Sequence, residues 1–267
     1  MKQIRTSIDM YKKSFLNIFL FILFLWSLFS VSWNSELMHS GGKATMIQII
    51  YSIFKPDFSY ETIKLALTSS WITLAYAAAG MSIAFIIAFF LSILASGILF
   101  SEKGVAKNFL KAFFRGILGS MRAIHELVWA WLFVAAIGLS PYAAIFALAI
   151  PYGGTLGRIF ADIFNDVQRH PINALKASGA SKLQILFYGY LPMSISDMIS
   201  YSMYRFECSV RSSTIMSFVG LGGLGYQIQL ALSDLMYERV WTFIFFLIFL
   251  VTAIDCWSNA LRKRLIK

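Results

Sequence analysis

Six stretches of the 267-residue chain are almost wholly apolar, and short polar segments divide them. They cover residues 14–33, 63–99, 117–138, 141–164, 192–218 and 239–258. A helix needs ~20 apolar residues to cross the hydrocarbon layer, so the pattern predicts about six membrane-spanning helices. The second stretch exceeds one crossing, which predicts a tilted helix or one that runs on into the outer aqueous layer. Its small residues Ala75, Ala77, Ala78, Ala79, Gly80 and Ser82 suit close helix packing. Between the first two stretches, Met46, Ile49, Ile50 and Ile53 fall at helical spacing, which predicts a helix over 43–54 on the outer membrane surface. No small-x-small cleavage site follows the first stretch, so it reads as a retained span rather than a signal peptide.

The segment 171–192, PINALKASGASKLQILFYGYLP, is a polar island in this apolar chain. Pro171 suits a first helical turn, where its missing N–H costs nothing. Gly179 suits the left-handed position that ends a helix sharply. Ser181 and Gln184 have the spacing of a capping box that starts the next helix. Pro192 disfavours helical geometry at Leu191 and predicts a restart there. The expectation is a helical hairpin on the cytoplasmic side, bearing Lys176 and Lys182 and no acid.

Composition agrees with the pattern. Hydrophobic residues make up 58%, charged residues only 13%, and the mean hydropathy is +0.70, against about 25% charged in soluble domains. The chain is therefore an all-α polytopic membrane protein. Sixteen Lys and Arg fall in segments expected inside and four in segments expected outside, which places both termini in the cytoplasm. The net charge of +10 accordingly speaks to orientation and acidic lipid, not to nucleic acid. Cys208 and Cys256 both lie in apolar segments without metal-ligand spacing and read as small buried hydrophobes.

The fifth stretch departs from the apolar pattern with Arg205, Glu207 and Arg211. Counted from Pro192 at ~1.5 Å per residue, the first two fall near the bilayer middle and Arg211 towards the outer side. A charge in that layer costs at least ~2.5–3.5 kcal/mol on insertion scales, so each should have a partner or water. Glu207 and Arg211 are spaced to pair along one helix, as are Arg122 and Glu126. Arg205 points away from Glu207 and needs a partner elsewhere, for which Glu126 is a candidate. Two readings stand together: structural ion pairs that pin helices, and the lining or gate of an anion pathway.

Two motifs carry a family resemblance. Ala174, Gly179, Leu191 and Pro192 fall at the spacings of the cytoplasmic loop of ABC importer permeases, with Asn173, Leu175 and Gly189 as departures. Tyr201, Ser202, Tyr204, Arg205, Phe206, Glu207, Val210, Arg211, Ser212 and Thr214 resemble the fifth-span region of phosphonate-type ABC permeases, as do 122–126 and Tyr188-Gly189. The resemblance covers roughly 56–262. It implies a type I ABC importer permease fold, with residues 1–13 cytoplasmic, 14–62 the first span and outer segment, and 63–267 the transmembrane domain carrying the cytoplasmic loop 165–191. It implies a phosphorus oxyanion as substrate, namely a phosphonate, a phosphite or a phosphate ester. The implied partners are a cytoplasmic ATPase subunit, a periplasmic or surface substrate-binding protein and a second copy of the chain. Asn173, Ala174, Lys176, Gly179, Ala180, Leu191 and Pro192 would couple to the ATPase, with Lys176 and Lys182 drawn to an acidic rim. Arg122, Glu126, Arg205, Glu207 and Arg211 would line or gate the path.

Other signals are rejected. The Gly-rich run 220–225 spells GxGxxG, but it follows a membrane helix with no strand before it, and reads as a flexible turn where backbone meets backbone. No phosphate-binding loop of the ATPase kind is present in the sequence, so ATP hydrolysis is expected on a separate subunit and no enzymatic role or cofactor here; His39, His125 and His170 lie in different segments without ligand spacing, so no metal is expected. An ABC permease for another small solute is the nearest alternative. An intramembrane enzyme would need a nucleophile or metal cluster, and a proton-coupled transporter would favour inverted repeats; neither is visible.

Overall fold

The computed structural model describes residues 2–30, 41–100 and 105–265, and every element among them is a helix. The chain divides into two compact units, Met1–Tyr51 and Ser52–Lys267. The first holds α1 (Lys2–Ser30) and most of α2 (Gly42–Ser52). Apolar residues fill the Ser14–Ser30 part of α1; the last three positions of the expected first span lie outside the described residues. The expected short helix over 43–54 is α2, and none of its side chains is buried.

In the second unit, α3 (Tyr60–Ser96) and α6 (Pro141–Asp166) form the central pair. Small residues let them close. A Cβ on Gly80 would stand 2.8 Å from the Leu148 Cβ, and one on Gly153 would stand 3.3 Å from Ile87. Without lipid-excluding force between helices, such van der Waals contact is what holds membrane helices together. The α6 helix continues through Pro151, and the Thr155 hydroxyl donates to the Pro151 carbonyl at 2.9 Å.

Among the described residues, α3, α6 and α11 (Tyr237–Leu265) are each long and apolar enough to cross a membrane, and two bent pairs, each taken as one span, bring the number up to five. The bends correct two straight spans expected from the sequence. The third stretch is α4 (Val105–Ala123) and α5 (Glu126–Ile137), at 84° to each other. The basic residues Lys107, Lys111 and Arg115, which precede the third apolar stretch, lie in the first part of α4. The fifth stretch runs on through a turn into α10 (Leu224–Ser233), bent by 52°. Three glycines there, Gly220, Gly222 and Gly223, have φ between 82° and 93°. Just beyond them a Cβ on Gly225 would stand 2.0 Å from the Thr214 carbonyl oxygen, so backbone does meet backbone in this run. Cys208 is half-buried and Cys256 exposed, so the expectation of a buried thiol fails for Cys256.

At the end of the bundle where α3 and α11 begin, Asp57 joins the two. Its carboxylate accepts from the Ser59 N–H at 2.9 Å, the Thr62 hydroxyl at 2.7 Å and the Arg239 Nε at 3.1 Å. The Thr242 hydroxyl donates to the Asp57 carbonyl at 2.9 Å. The backbone N–H of Ser59, then the Thr62 hydroxyl, hold the Asp57 carboxyl down at about 2.

Candidate functional site

The polar island folds as a hairpin of α7 (Arg169–Ala177) and α8 (Lys182–Ile185). Gly179 has φ +81°, a left-handed conformation that only glycine adopts without strain. The turn is closed by N–H groups of Gly179 and Ala180 donating to the Lys176 and Leu175 carbonyls, both at 3.1 Å. Ser181 and Gln184 form the reciprocal capping box expected of them: the Gln184 N–H donates to the Ser181 hydroxyl and the Ser181 N–H to the Gln184 Oε1. Asn173, Ala174, Lys176 and Gly179 are exposed at the tip, with Ala180 half-buried.

Pro192 does not restart the helix. Leu191 is helical, with φ −63° and ψ −49°, and α9 (Leu191–Met216) follows α8 without interruption. A widened π turn over 186–190 precedes it, in which the Leu191 N–H reaches back to the Leu186 carbonyl. Such a turn relieves the clash and the missing donor that proline brings to a regular helix. Gly189, a departure from the general loop pattern, has a packing reason. A Cβ there would lie 2.7 Å from the Ile172 Cδ1 and 3.0 Å from the Leu175 Cδ1, so α7 closes directly on the π turn. Lys182 is exposed and donates to the Leu99 carbonyl at 3.0 Å.

The second polar region is the break between α4 and α5. Its short gap, Ile124 and His125, is capped by the His125 imidazole, whose Nδ1 accepts from the Leu127 N–H at 3.2 Å. A Cβ on Gly154 would meet the Leu118 carbonyl oxygen and the Met121 Cβ, each at 2.8 Å, so the end of α4 is seated hard on α6. Beside the break lies a cavity of about 290 Å³ lined by Arg122, His125, Glu126, Tyr152, Thr155 and Arg205, with Ala123, Ile124 and Pro151. Tyr152 and Thr155 stand at the middle of α6, while Arg122, Ala123, Ile124 and His125 are exposed, so the cavity is open on the side of the break.

The structure redistributes the expected ion pairs. Arg122 and Glu126 do not pair along one helix, because the chain breaks between them and turns through 84°. Glu126 instead accepts from the Ser212 hydroxyl at 2.5 Å, and the Tyr152 hydroxyl lies 3.0 Å from the same Ser212 oxygen. Arg205 is held by tyrosines rather than by Glu126. Its Nε and Nη2 donate to the Tyr201 hydroxyl at 2.9 and 2.5 Å, and its guanidinium lies 5.1 and 5.5 Å from the Tyr201 and Tyr204 ring centres. Glu207 pairs with Arg262 of α11 at 2.6 Å, not with Arg211. Arg211 is exposed, and makes no ion pair among the described residues. The fold thus brings Arg122, Glu126 and Arg205 to one cavity and leaves Glu207 and Arg211 out of it. Tyr152 joins that site with no signal in the sequence beyond its place in an apolar helix, whereas Ser212, which bonds Glu126 beside it, belongs to the fifth-span motif.

Residues 97–267 match the family described as binding-protein-dependent transport system inner membrane component. The chain belongs to this family. HtxC of Stutzerimonas stutzeri, assigned to a phosphite transport system as its permease, is 31% identical over 240 residues, 88% of this chain and 83% of HtxC. The phosphite transport system permease protein PtxC of the same organism is 32% identical over 149 residues, 56% of this chain and 54% of PtxC. Among solved structures, the inward-facing MetNI methionine ABC transporter shares the fold, with a TM-score of 0.68, 21% identity and coverage of 78% of this chain and 99% of that one. The matched range takes in α4 to α11, so the hairpin and the polar break both lie in the part this permease shares with its family.

Proposed function

We propose that this permease is the membrane subunit of an ATP-driven importer for a small phosphorus oxyanion, a phosphonate, phosphite or phosphate ester. The observation that carries the reading is the cavity at the α4–α5 break. Two arginines and one glutamate line it, and Arg205 is held by tyrosine hydroxyl and ring faces rather than by a carboxylate. Its charge is positioned without being neutralised, which suits brief contact with an oxyanion. The phosphite assignments of HtxC and PtxC support the same substrate class.

The termini lie in the cytoplasm, and two copies enclose one pathway, in line with the prevalence of twofold assemblies. The uncovered stripe of α9 with Tyr204, Arg211 and Ile215, continued by Phe218 in the turn that follows, would face the second copy across that pathway. A separate cytoplasmic ATPase grips the hairpin tip at Asn173, Ala174, Lys176 and Gly179, and a binding protein delivers substrate on the other side. Because Leu191 and Pro192 continue the hairpin into α9, a rigid-body push on the tip moves the helix that carries Arg205. Glu207 acts as a pin to α11 rather than as a gate.

The test is uptake of labelled phosphite or phosphonate by ATP-loaded vesicles holding the assembled complex. Arg205→Ala should lower uptake by about tenfold or more, the effect of ~1.4 kcal/mol of lost stabilisation, while the variant still co-purifies with the ATPase. Normal uptake by an assembled Arg205→Ala complex rules out the pathway role. Failure to assemble makes Arg205 a structural residue.

A further inference from the structure

We infer that Glu126 makes the cavity at the α4–α5 break select oxyanions that still carry a proton and reject those that carry none. This selectivity rests on the reading of the cavity as part of an oxyanion pathway and narrows the substrate class within it. The protons around Glu126 can be followed one by one. The Ser212 hydroxyl has a single proton and gives it to the Glu126 Oε1 at 2.5 Å. The Tyr152 hydroxyl, 3.0 Å from the Ser212 oxygen, is therefore the donor of that pair. The Thr155 hydroxyl gives its proton to the Pro151 carbonyl at 2.9 Å. The His125 Nδ1 accepts from the Leu127 N–H at 3.2 Å, which puts the proton of the neutral imidazole on Nε2. The Glu126 Oε2 stands 3.7 Å from this Nε2, beyond hydrogen-bond reach, and accepts no hydrogen bond among the described residues.

The polar side chains that line the cavity thus fall into two sets. The nitrogens of Arg122, His125 and Arg205 give hydrogen bonds. The oxygens of Glu126, Tyr152 and Thr155 can only accept more, because each hydroxyl proton is already committed and a carboxylate has none. A ligand that suits both sets needs acceptor oxygens for the first and an O–H for the second. A phosphorus oxyanion has both while it keeps one proton, and its second ionisation falls close to neutrality, at about pH 6 for a phosphate monoester. Sulfate is fully ionised and offers acceptors alone. The arginines attract either anion, so the discrimination falls to Glu126, the one acid lining the cavity among the described residues. An oxygen without a proton meets like charge there and leaves the carboxylate unpaired. A site built to pair a ligand O–H rejects the analogue that lacks it far more strongly than an apolar pocket rejects a change of size.

The full chain, in neutral detergent at neutral pH and constant ionic strength, is titrated with phosphite, methylphosphonate, sulfate and dimethyl phosphate, reading the midpoint of thermal unfolding. The first pair hold a titratable proton. Sulfate and dimethyl phosphate hold none and differ in charge, so proton and charge are tested separately. A saturable rise that Arg205→Ala abolishes belongs to this cavity. Phosphite and methylphosphonate should saturate, and the other two should need at least about tenfold more ligand, equivalent to ~1.4 kcal/mol. Glu126→Gln, whose amide both gives and accepts hydrogen bonds, should close most of that gap. The wild-type comparison decides alone should Glu126→Gln fail to fold. Sulfate or dimethyl phosphate matching phosphite overturns the selectivity, as does a gap that Glu126→Gln leaves unchanged, and either result leaves the oxyanion pathway standing. No saturable rise with any probe, or one that survives Arg205→Ala, takes anion binding out of this cavity and the pathway reading with it.

Discussion

The hairpin turns on Gly179, whose φ is +81° and around which a Cβ would meet nothing within 4 Å. The polar break rests on Gly154, which is an ordinary helical residue with no room at all, its Cβ position 2.8 Å from both the Leu118 carbonyl oxygen and the Met121 Cβ. One glycine answers to its own backbone and the other to a neighbouring helix 36 residues back at Leu118. The same contrast holds for the polar side chains. Ser181 and Gln184 satisfy each other three residues apart, whereas Glu126 and Ser212 meet from positions 86 apart. Features built from local rules can be read from the sequence, and features built by packing cannot.

The largest effect expected from breaking this contrast is at Glu207. Its carboxylate is buried against Arg262, and Glu207→Ala leaves that guanidinium without its ionic partner, with only the Asn259 Oδ1 at 2.8 Å, at a cost of about 3–5 kcal/mol. The α9–α11 contact should loosen and the thermal midpoint fall, and pairing Glu207→Met with Arg262→Met should recover much of the loss. A single variant as stable as wild type would show that the pair does not hold the helices.

Gly154→Ala comes next. Its methyl group has only backbone and a side-chain root to displace, so overpacking should cost about 1–3 kcal/mol, measured by thermal unfolding in detergent. Because the displaced segment carries Arg122, uptake should fall as well. An unchanged midpoint would mean that α4 shifts freely on α6.

Gly179→Leu tests the local half. Forcing a side chain into the left-handed region costs roughly 1–2 kcal/mol, yet the open space around it predicts that the membrane helices insert and pack as before. The loss should appear in co-purification with the ATPase and in ATP-driven uptake. Wild-type behaviour in both would reduce the hairpin to a connector.

The smallest effect is a pH dependence at Asp57, whose site is half local and half tertiary. Its folded-state carboxyl titrates at about 2 against an ordinary 3.8. Depression of a carboxyl stabilises the fold above the ordinary value, and that stabilisation is lost as pH falls from about 4 to about 2. Asp57→Asn should therefore be less stable than wild type at neutral pH, and the difference should shrink across that window. A difference that stays constant down to pH about 2 would remove the carboxylate as its source.

Particular residues mark where sequence reading stopped. The left-handed turn at Gly179, the capping box and the helices over the six apolar stretches follow from spacing alone, because each depends on contacts within a few residues. The phosphorus-oxyanion reading came from motif resemblance, and neither periodicity nor composition contains it. The pairings of Arg205, Glu207 and Arg122 went astray for one reason: helical spacing presumes an unbroken helix and prefers partners on it. Arg122 and Glu126 stand four apart, but 84° of bend lies between them. Glu207 had a partner four residues on, but Arg262, 55 residues away, packs against its face. Pro192 was expected to interrupt the helix, and a π turn absorbed it instead.

What the sequence by itself determined is the all-helical membrane class and the shape of the hairpin, since hydrophobic period and glycine φ need no distant partner. Only the tertiary structure decided which charges share a cavity. In an apolar layer a charge takes whatever partner packing brings within reach, and that is settled by how α4, α6, α9 and α11 lean on one another.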